Sequence, residues 1–307
     1  CAFATWTAGS DTPPPVSPSV PDPAHVIPRT YAADLAEVAG PGVAAAGRAM
    51  CYRRQVGRLK KVLKWAGIVV GIGVLALGIT LAVAHEGRPE GARPGPEAEA
   101  LAARMEQAVD VEAWASTGAV RWTFAGVNAH LWDRRRHVAR VRTGDTEALL
   151  HVGGPHGAAF RDGRRVHGEE AREILEAAHA AWVNDSFWLN PIAKLRDDGV
   201  VRERLAEDAL LVRYTSGGLT PGDAYLWTLG EDGTPTRWKL WVSILPIGGV
   251  ETTWEGWRSL STGARVSTRH RGPLGLTLEL TDVEGAATLE DLVDGPDPVA
   301  PLFAEGD

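Results

Sequence analysis

The sequence predicts an α+β domain built on one long, strongly curved antiparallel sheet, preceded by a single apolar membrane-targeting segment. Three observations predict it. Trp65 to Ala84 is twenty residues without a charge. Downstream of it, two stretches with helical spacing are separated and followed by short runs of strand alternation. That order, helix, strands, helices, strands, is the signature of α+β and not of βαβ units.

Residues 1–49 are rich in Pro, Ala and Gly, with Pro13–Pro15 in a row, and show no apolar periodicity. Such composition cannot bury enough surface to offset the entropy of ordering, so a disordered segment is expected. Met50 is the first Met, and translation from Met50 would make residues 1–49 an over-extended gene reading. Residues 50–64 form a basic flank, with Arg53, Arg54, Arg58, Lys60, Lys61 and Lys64. At about 1.5 Å per residue the next twenty residues match a hydrocarbon core of about 30 Å. The basic flank holds the N-terminal end in the cytoplasm, so the rest of the chain crosses to the periplasmic side of an inner membrane. The segment ends in Ala82-Val83-Ala84, a small-residue pattern that fits a cleaved signal peptide, whereas its length fits a signal anchor. Residues 85–96 read as a Gly/Pro linker.

The folded domain spans 97–285. A helix is expected from Glu97 to Trp114, where Leu101, Met105 and Ala108 recur at three and four. Strands follow at 120–124, 138–142 and 149–152, separated by Gly-rich turns. A second helix is expected at Glu169–Val183. Asn184-Asp185-Ser186 would then cap a short helix from Phe187 to Leu195. Strands return at 209–215, 224–229, 236–244, 252–260, 264–269 and 276–283. Leu276, Leu278 and Leu280 share one face of the last strand. Trp238, Leu240 and Val242 share a face of 236–244 and Trp241 takes the other, so both faces should be covered. Residues 286–307 read as an acidic tail.

Composition excludes several functions. Residues 1–84 hold 8 Lys+Arg against 4 Asp+Glu, and the remaining 24 and 35 make the domain acidic. Nucleic acid is not an expected partner, because phosphate binding needs a basic face. The two cysteines, Cys1 and Cys51, leave the domain without a disulfide framework or thiolate site. G-x-S-x-G, H-E-x-x-H, Walker and G-x-G-x-x-G patterns are absent. His151 and His156 flank a turn and do not have metal-ligand spacing. Asp197-Asp198 reads as a turn, and Glu169-Glu170 as favourable first-turn charge on a helix. Arg134-Arg135-Arg136 reads as a solvated hairpin turn or, more sharply, as a site for an anionic head group. No catalytic residue, metal or cofactor is expected.

The most specific stretch is Ala181-Trp-Val-Asn-Asp-Ser-Phe-Trp-Leu-Asn-Pro191, followed by Gly218-Leu-Thr-Pro-Gly-Asp-Ala-Tyr225. These motifs resemble uncharacterised bacterial envelope proteins allied to the lipoprotein localisation factors LolA and LolB, over about residues 100–285. The resemblance implies an incomplete, half-open antiparallel barrel with helices on its concave side and acyl chains held between them. The basic residue of the carriers has no clear counterpart; Arg121 and Arg140 stand nearest. Period-two alternation puts Trp122 with Phe124, and Tyr225 with Trp227, on single faces. The expected ligand-contacting set is therefore Trp122, Phe124, Trp182, Phe187, Trp188, Leu189, Tyr225, Trp227 and Trp238. The expected function is non-enzymatic binding of an apolar ligand, an acyl chain, lipid or lipoprotein, by a monomer. The alternatives are an envelope-stress sensor of the sigma-regulator type, acting by protein contact, and an enzyme of unknown class.

Overall fold

A computed structural model of the chain describes residues 84–216 and 220–304. The expectations for residues 1–49, for the basic flank and for the apolar segment up to Val83 lie outside the described residues. Among the described residues no helix is long and apolar enough to cross a membrane.

The first helical stretch divides at Asp110 into α1 (Pro96–Val109) and α2 (Val111–Ser116). Asp110 is left-handed, with φ 54°, and its Oδ1 accepts from Ala113 N at 2.9 Å. An Asp tolerates this conformation and caps the helix it starts, so one periodic stretch becomes two helices. An antiparallel meander follows: β1 (Ala119–Phe124), β2 (Asn128–Asp133), β3 (Val138–Thr143), β4 (Thr146–His151), β5 (His156–Arg161) and β6 (Arg164–Val166). Then α3 runs unbroken from Gly168 to Leu189. The expected cap at Asn184–Ser186 is therefore corrected: these polar residues lie inside the helix. The expected short helix to Leu195 reduces to a single 3-10 turn at Ile192–Lys194, started by Asn190, whose Oδ1 accepts from Ala193 N.

The second meander is β7 (Val200–Ala206), β8 (Ala209–Tyr214), β9 (Ala224–Leu229), β10 (Pro235–Trp241) and β11 (Val250–Thr253). After a two-stranded hairpin, β12 (Arg258–Ser259) and β13 (Arg265–Val266), the chain enters β14 (Arg269–Arg271) and β15 (Thr277–Ala286). β15 returns beside β1. The fold is thus mostly antiparallel sheet with few helices, and it is not closed into a barrel.

The expectation of a single sheet does not hold. One sheet has eight strands, β14-β15-β1-β2-β3-β4-β5-β6, and the other five, β11-β10-β9-β8-β7. They abut at β11 and β14, where the backbone pairing shrinks to an antiparallel bridge between Glu255, just past β11, and Arg269, and side chains bond beside it. Arg271 N donates to Thr253 Oγ1 at 2.9 Å, and the ring Nδ1 of His270 lies 3.1 Å from the Thr253 carbonyl. A Thr and a His that occupy the bonding groups of adjacent strands keep the pairing short there.

α3 connects the inner faces of the two sheets. Its first half buries Ile174, Leu175 and Ala178 against Val141, Ala148, Leu150 and Ala159 of β3–β5. Its last turns carry Phe187 and Trp188 onto the core of the five-stranded sheet, which α1 also covers with Leu101, Met105 and Val109. The outer faces are covered too, as Trp241 predicted. Its Nε1 donates to the Glu86 carbonyl at 2.7 Å, and Ala92 packs beside it with Leu211. Residues 85–93, read as a linker, cross this outer face and pair with the β7 edge through Arg93 and Arg204. On the eight-stranded sheet Leu289, Leu292 and Val299, from the segment read as an acidic tail, pack over Leu131, Val138 and Leu149.

Candidate functional site

Between the end of α3 and the two sheets lies a half-open cavity of about 620 Å³. Six of the nine expected residues line it: Phe124, Trp182, Phe187, Trp188, Tyr225 and Trp238. The other three do not. Trp122, Leu189 and Trp227 are each 1% exposed and sit behind the wall. Trp122 stacks on His130, with centroids 4.4 Å apart and planes at 15°, and Trp227 is wedged between Trp238 and Trp254. They hold the lining residues in place and do not reach the space. Period two fixed the correct face in each strand; depth along that face has no periodic signal.

The aromatic wall is continuous. Phe187 lies against Tyr214 and Tyr225, with centroids 5.4 and 5.2 Å away, and Trp188 against Trp238 at 4.9 Å. Offset and edge-on arrangements of this kind add to the energy of burial and fix ring positions. Burial raises the Tyr225 hydroxyl far above its ordinary pKa, and the Tyr214 hydroxyl likewise, with a further push from Asp197. Both phenols stay neutral, and Tyr214 Oη is buried without a hydrogen-bond partner. His270 closes the base of the wall beside Trp188 and Trp254. Burial lowers its pKa to about 4, against a weaker opposing effect from the bond to Thr253.

Sequence reasoning missed the rest of the lining. Leu240, Val242, Ile244, Leu245, Ile247 and Val250 come from β10, the loop that follows it and the start of β11. The expected strand to Ile244 stops at Trp241, so Ile244 is on a loop. Pro246 and the Gly248-Gly249 pair were the signals for that stop. Across the mouth, Gly272, Pro273 and Leu276 come from the turn between β14 and β15, while Lys194, Asp197, Asp198 and Ser216 give the polar part of the rim. The Asp197-Asp198 turn holds an ion pair, Lys194 Nζ to Asp197 at 3.4 Å.

Both motifs have a structural account. In the second, Asp223 accepts from Thr220 Oγ1 at 2.5 Å and from Ser243 N at 3.0 Å, which fastens the turn before β9 to the loop after β10. In the first, Asp185 is buried and accepts from His130 Nε2 at 2.7 Å and Asn128 Nδ2 at 2.9 Å; Asn184 Nδ2 donates to its other oxygen. The His130 and Asp185 side chains are 0% and 2% exposed, and neither lines the cavity. This cluster ties α3 to β2, and of its members Asn184 lines the cavity. β2 was not expected as a strand, although Asn128, His130 and Trp132 alternate, because polar residues on the inner face hid its period.

The arginines are structural as well. Arg134, read as part of a solvated turn, is partly buried over Trp114 and Trp132 and donates to the Trp114 and Thr117 carbonyls. Arg136 pairs with Asp133 and Asp297, and of the three only Arg135 is exposed. Arg121 pairs with Glu284, and burial lowers the pKa of Arg140. None of these five lines the cavity.

No family model matches the chain, and no curated protein does. Among solved structures, one described as a DUF1329 family protein from Desulfovibrio piger is similar over 65% of this chain and 96% of its own, with 11% identity and a TM-score of 0.31. A score of that size leaves the function of this chain to be argued from its own residues.

Proposed function

We propose that the domain is a non-enzymatic binder of an apolar ligand, an acyl chain of a lipid or lipoprotein, held against the aromatic wall between α3 and the two sheets. In this reading the sheets and α3 form the half-open cradle that the LolA/LolB resemblance implies. Residues 65–84 place it on the periplasmic side of an inner membrane. The observation that carries the reading is the cavity: about 620 Å³, walled by seven aromatic side chains, Tyr214 among them, together with Leu240, Val242 and Leu278. That volume falls within the ~300–1,000 Å³ of ordinary ligand sites. A chain in it gains about 0.8 kcal/mol per buried CH₂ without needing a polar contact.

The test is Trp188→Ala in the full chain, with unfolding and binding of a fluorescent fatty acid both measured. A Trp packed on all sides costs about 3–5 kcal/mol when truncated. Trp188 is half-buried and faces the cavity, so the expected loss of stability is below about 3 kcal/mol. Affinity for the probe should fall by roughly tenfold or more, in line with the apolar contact removed. A variant that unfolds while the wild type binds no probe would leave a plain core and no binder.

A further inference from the structure

We propose that the cavity takes an amphiphile with a cationic head, an ammonium on an acyl or alkyl chain, and that the head sits at one end among Asp223, Asp198, Tyr214 and Tyr225. This deepens the binding reading above and rests on it.

The charges that line the cavity gather at that end. Lys194, Asp197, Asp198 and Asp223 belong to the lining, and the rest of the described lining is uncharged. Backbone bonds bring them together. Thr215 N donates to the Gly199 carbonyl at 2.8 Å and Ser216 Oγ to the Asp198 carbonyl at 3.2 Å, which holds the 197–199 turn against the end of β8. Gly222 N donates to the Tyr214 carbonyl at 2.7 Å and Tyr214 N to the Asp223 carbonyl at 2.9 Å, which holds the entry to β9 beside it.

One cation therefore stands against three carboxylates, and that cation is spent, because Lys194 pairs with Asp197. Neither Asp198 nor Asp223 has an ion-pair partner among the described residues. Asp198 is on the exposed rim, whereas Asp223 is only 6% exposed. Both of its oxygens accept, one from Thr220 Oγ1 and one from Ser243 N, as a carboxylate does. Those donors carry no charge. A buried carboxylate is ordinarily met by a cation, and here the cavity is where one would come from.

The phenols give an independent sign of a missing polar partner. Tyr225 is 9% exposed and lines the cavity, and its hydroxyl makes no hydrogen bond among the described residues. The Tyr214 hydroxyl has none either. Burial is the main reason both keep their protons, and a carboxylate adds to it in each case, Asp197 at Tyr214 and Asp223 at Tyr225. The carboxylates and phenols thus share one end of the space. Phe187 joins them, with the three ring centroids 5.2, 5.4 and 5.7 Å apart. Aromatic faces attract an ammonium, most strongly away from water. A fatty acid fills the apolar end with its chain, but its own carboxylate then faces like charges.

The experiment uses the full chain in dodecyl maltoside, loaded with the fluorescent fatty acid and titrated at neutral pH with tetradecylamine, tetradecanol or tetradecanoate. Displacement is read against free concentrations measured in protein-free micelles. The amine should displace the probe at a roughly tenfold lower free concentration than the acid, with the alcohol between them, as a charge-assisted bond to the head requires. Asp223→Asn keeps an acceptor for Ser243 N and removes the charge. It should weaken the amine by roughly tenfold and leave the alcohol unchanged. Asp198→Asn, on the exposed rim where folding is not at stake, should weaken the amine by roughly two- to threefold, the size of a solvent-screened pair.

Equal displacement by amine and acid in the wild type overturns the inference and leaves the binding reading standing. An Asp223→Asn effect shared alike by amine, alcohol and acid overturns it too, because the carboxylate would then only brace the turn. If the wild type takes up no fluorescent fatty acid, equilibrium dialysis with radiolabelled tetradecylamine decides. Binding of the amine alone supports the inference, and binding of neither removes it together with the reading on which it rests.

Discussion

The two halves of α3 meet the sheets in opposite ways. Under Ile174–Ala178 the facing residues are aliphatic, Val141, Ala148, Leu150 and Ala159, two of them small, and the helix lies on β3–β5 with its core filled. Under Trp182–Trp188 they are Trp132, Tyr225 and Trp238, and between helix and sheets a cavity remains. Within the second stretch sits Asp185, bonded to Asn128 and His130 of β2. One helix therefore has a sealed stretch and an open stretch, and the polar cluster pins the open one to the eight-stranded sheet. Small residues let backbones approach and close-pack; large rings brace each other and hold a helix off.

The largest effect should come from that pin. Asp185→Ala leaves His130 and Asn128 buried without their acceptor. Breaking a buried, hydrogen-bonded pair typically costs about 3–5 kcal/mol. Urea unfolding of the variant followed by Trp fluorescence should show a loss of that size. A loss below about 1 kcal/mol would mean that the cluster does not hold the helix, and the contrast between its ends would need another cause.

Acid should act on the open half. His270 is neutral in the folded chain, with its pKa lowered to about 4 by burial, whereas in the unfolded chain it titrates near 6.5. The unfolded state then binds more protons between those values, so the contribution of His270 is intact above pH 6.5 and is lost as pH falls toward 4. Across that window the loss amounts to about 3 kcal/mol. The check is stability measured from pH 7 to pH 4 in wild type and in His270→Phe. The variant should show a shallower decline, and equal slopes would remove His270 from the account.

How far the sequence foretold this contrast depends on the kind of signal. Alternation identified the inward faces: Leu278 and Leu280 are buried while Thr277 and Glu279 are exposed, and Trp122, Phe124, Tyr225 and Trp227 all point inward as expected. Six of nine expected lining residues reach the cavity for the same reason. What was illegible was tertiary. Asp185 was read as a cap because Asn-Asp-Ser has capping chemistry; its partners on β2 are fifty-five or more residues away, where no local pattern can show them. The seam between the two sheets is kept short by the groups Thr253 and His270 bond to, beside the Glu255–Arg269 bridge, and β-propensity is silent on that.

The smallest expected effect is the most discriminating, because it compares the same substitution on the two sides. Ala178→Phe adds a ring where α3 already touches β3–β5. Overpacking of a filled core costs about 1–3 kcal/mol. Val242→Phe adds the same ring to the cavity wall beside Leu240 and Ile244, where there is empty volume to accept it. There the change in stability should stay below about 1 kcal/mol, because a ring that fills a void regains the dispersion contacts its lining lacked. Probe binding should respond in the reverse order, weakened by Val242→Phe through lost volume and unchanged by Ala178→Phe, because Ala178 does not line the cavity. Thermal unfolding and fatty-acid titration of the two variants measure both. Equal destabilisation would mean that the space between the end of α3 and the sheets closes in solution, and the distinction between a sealed and an open half would go with it.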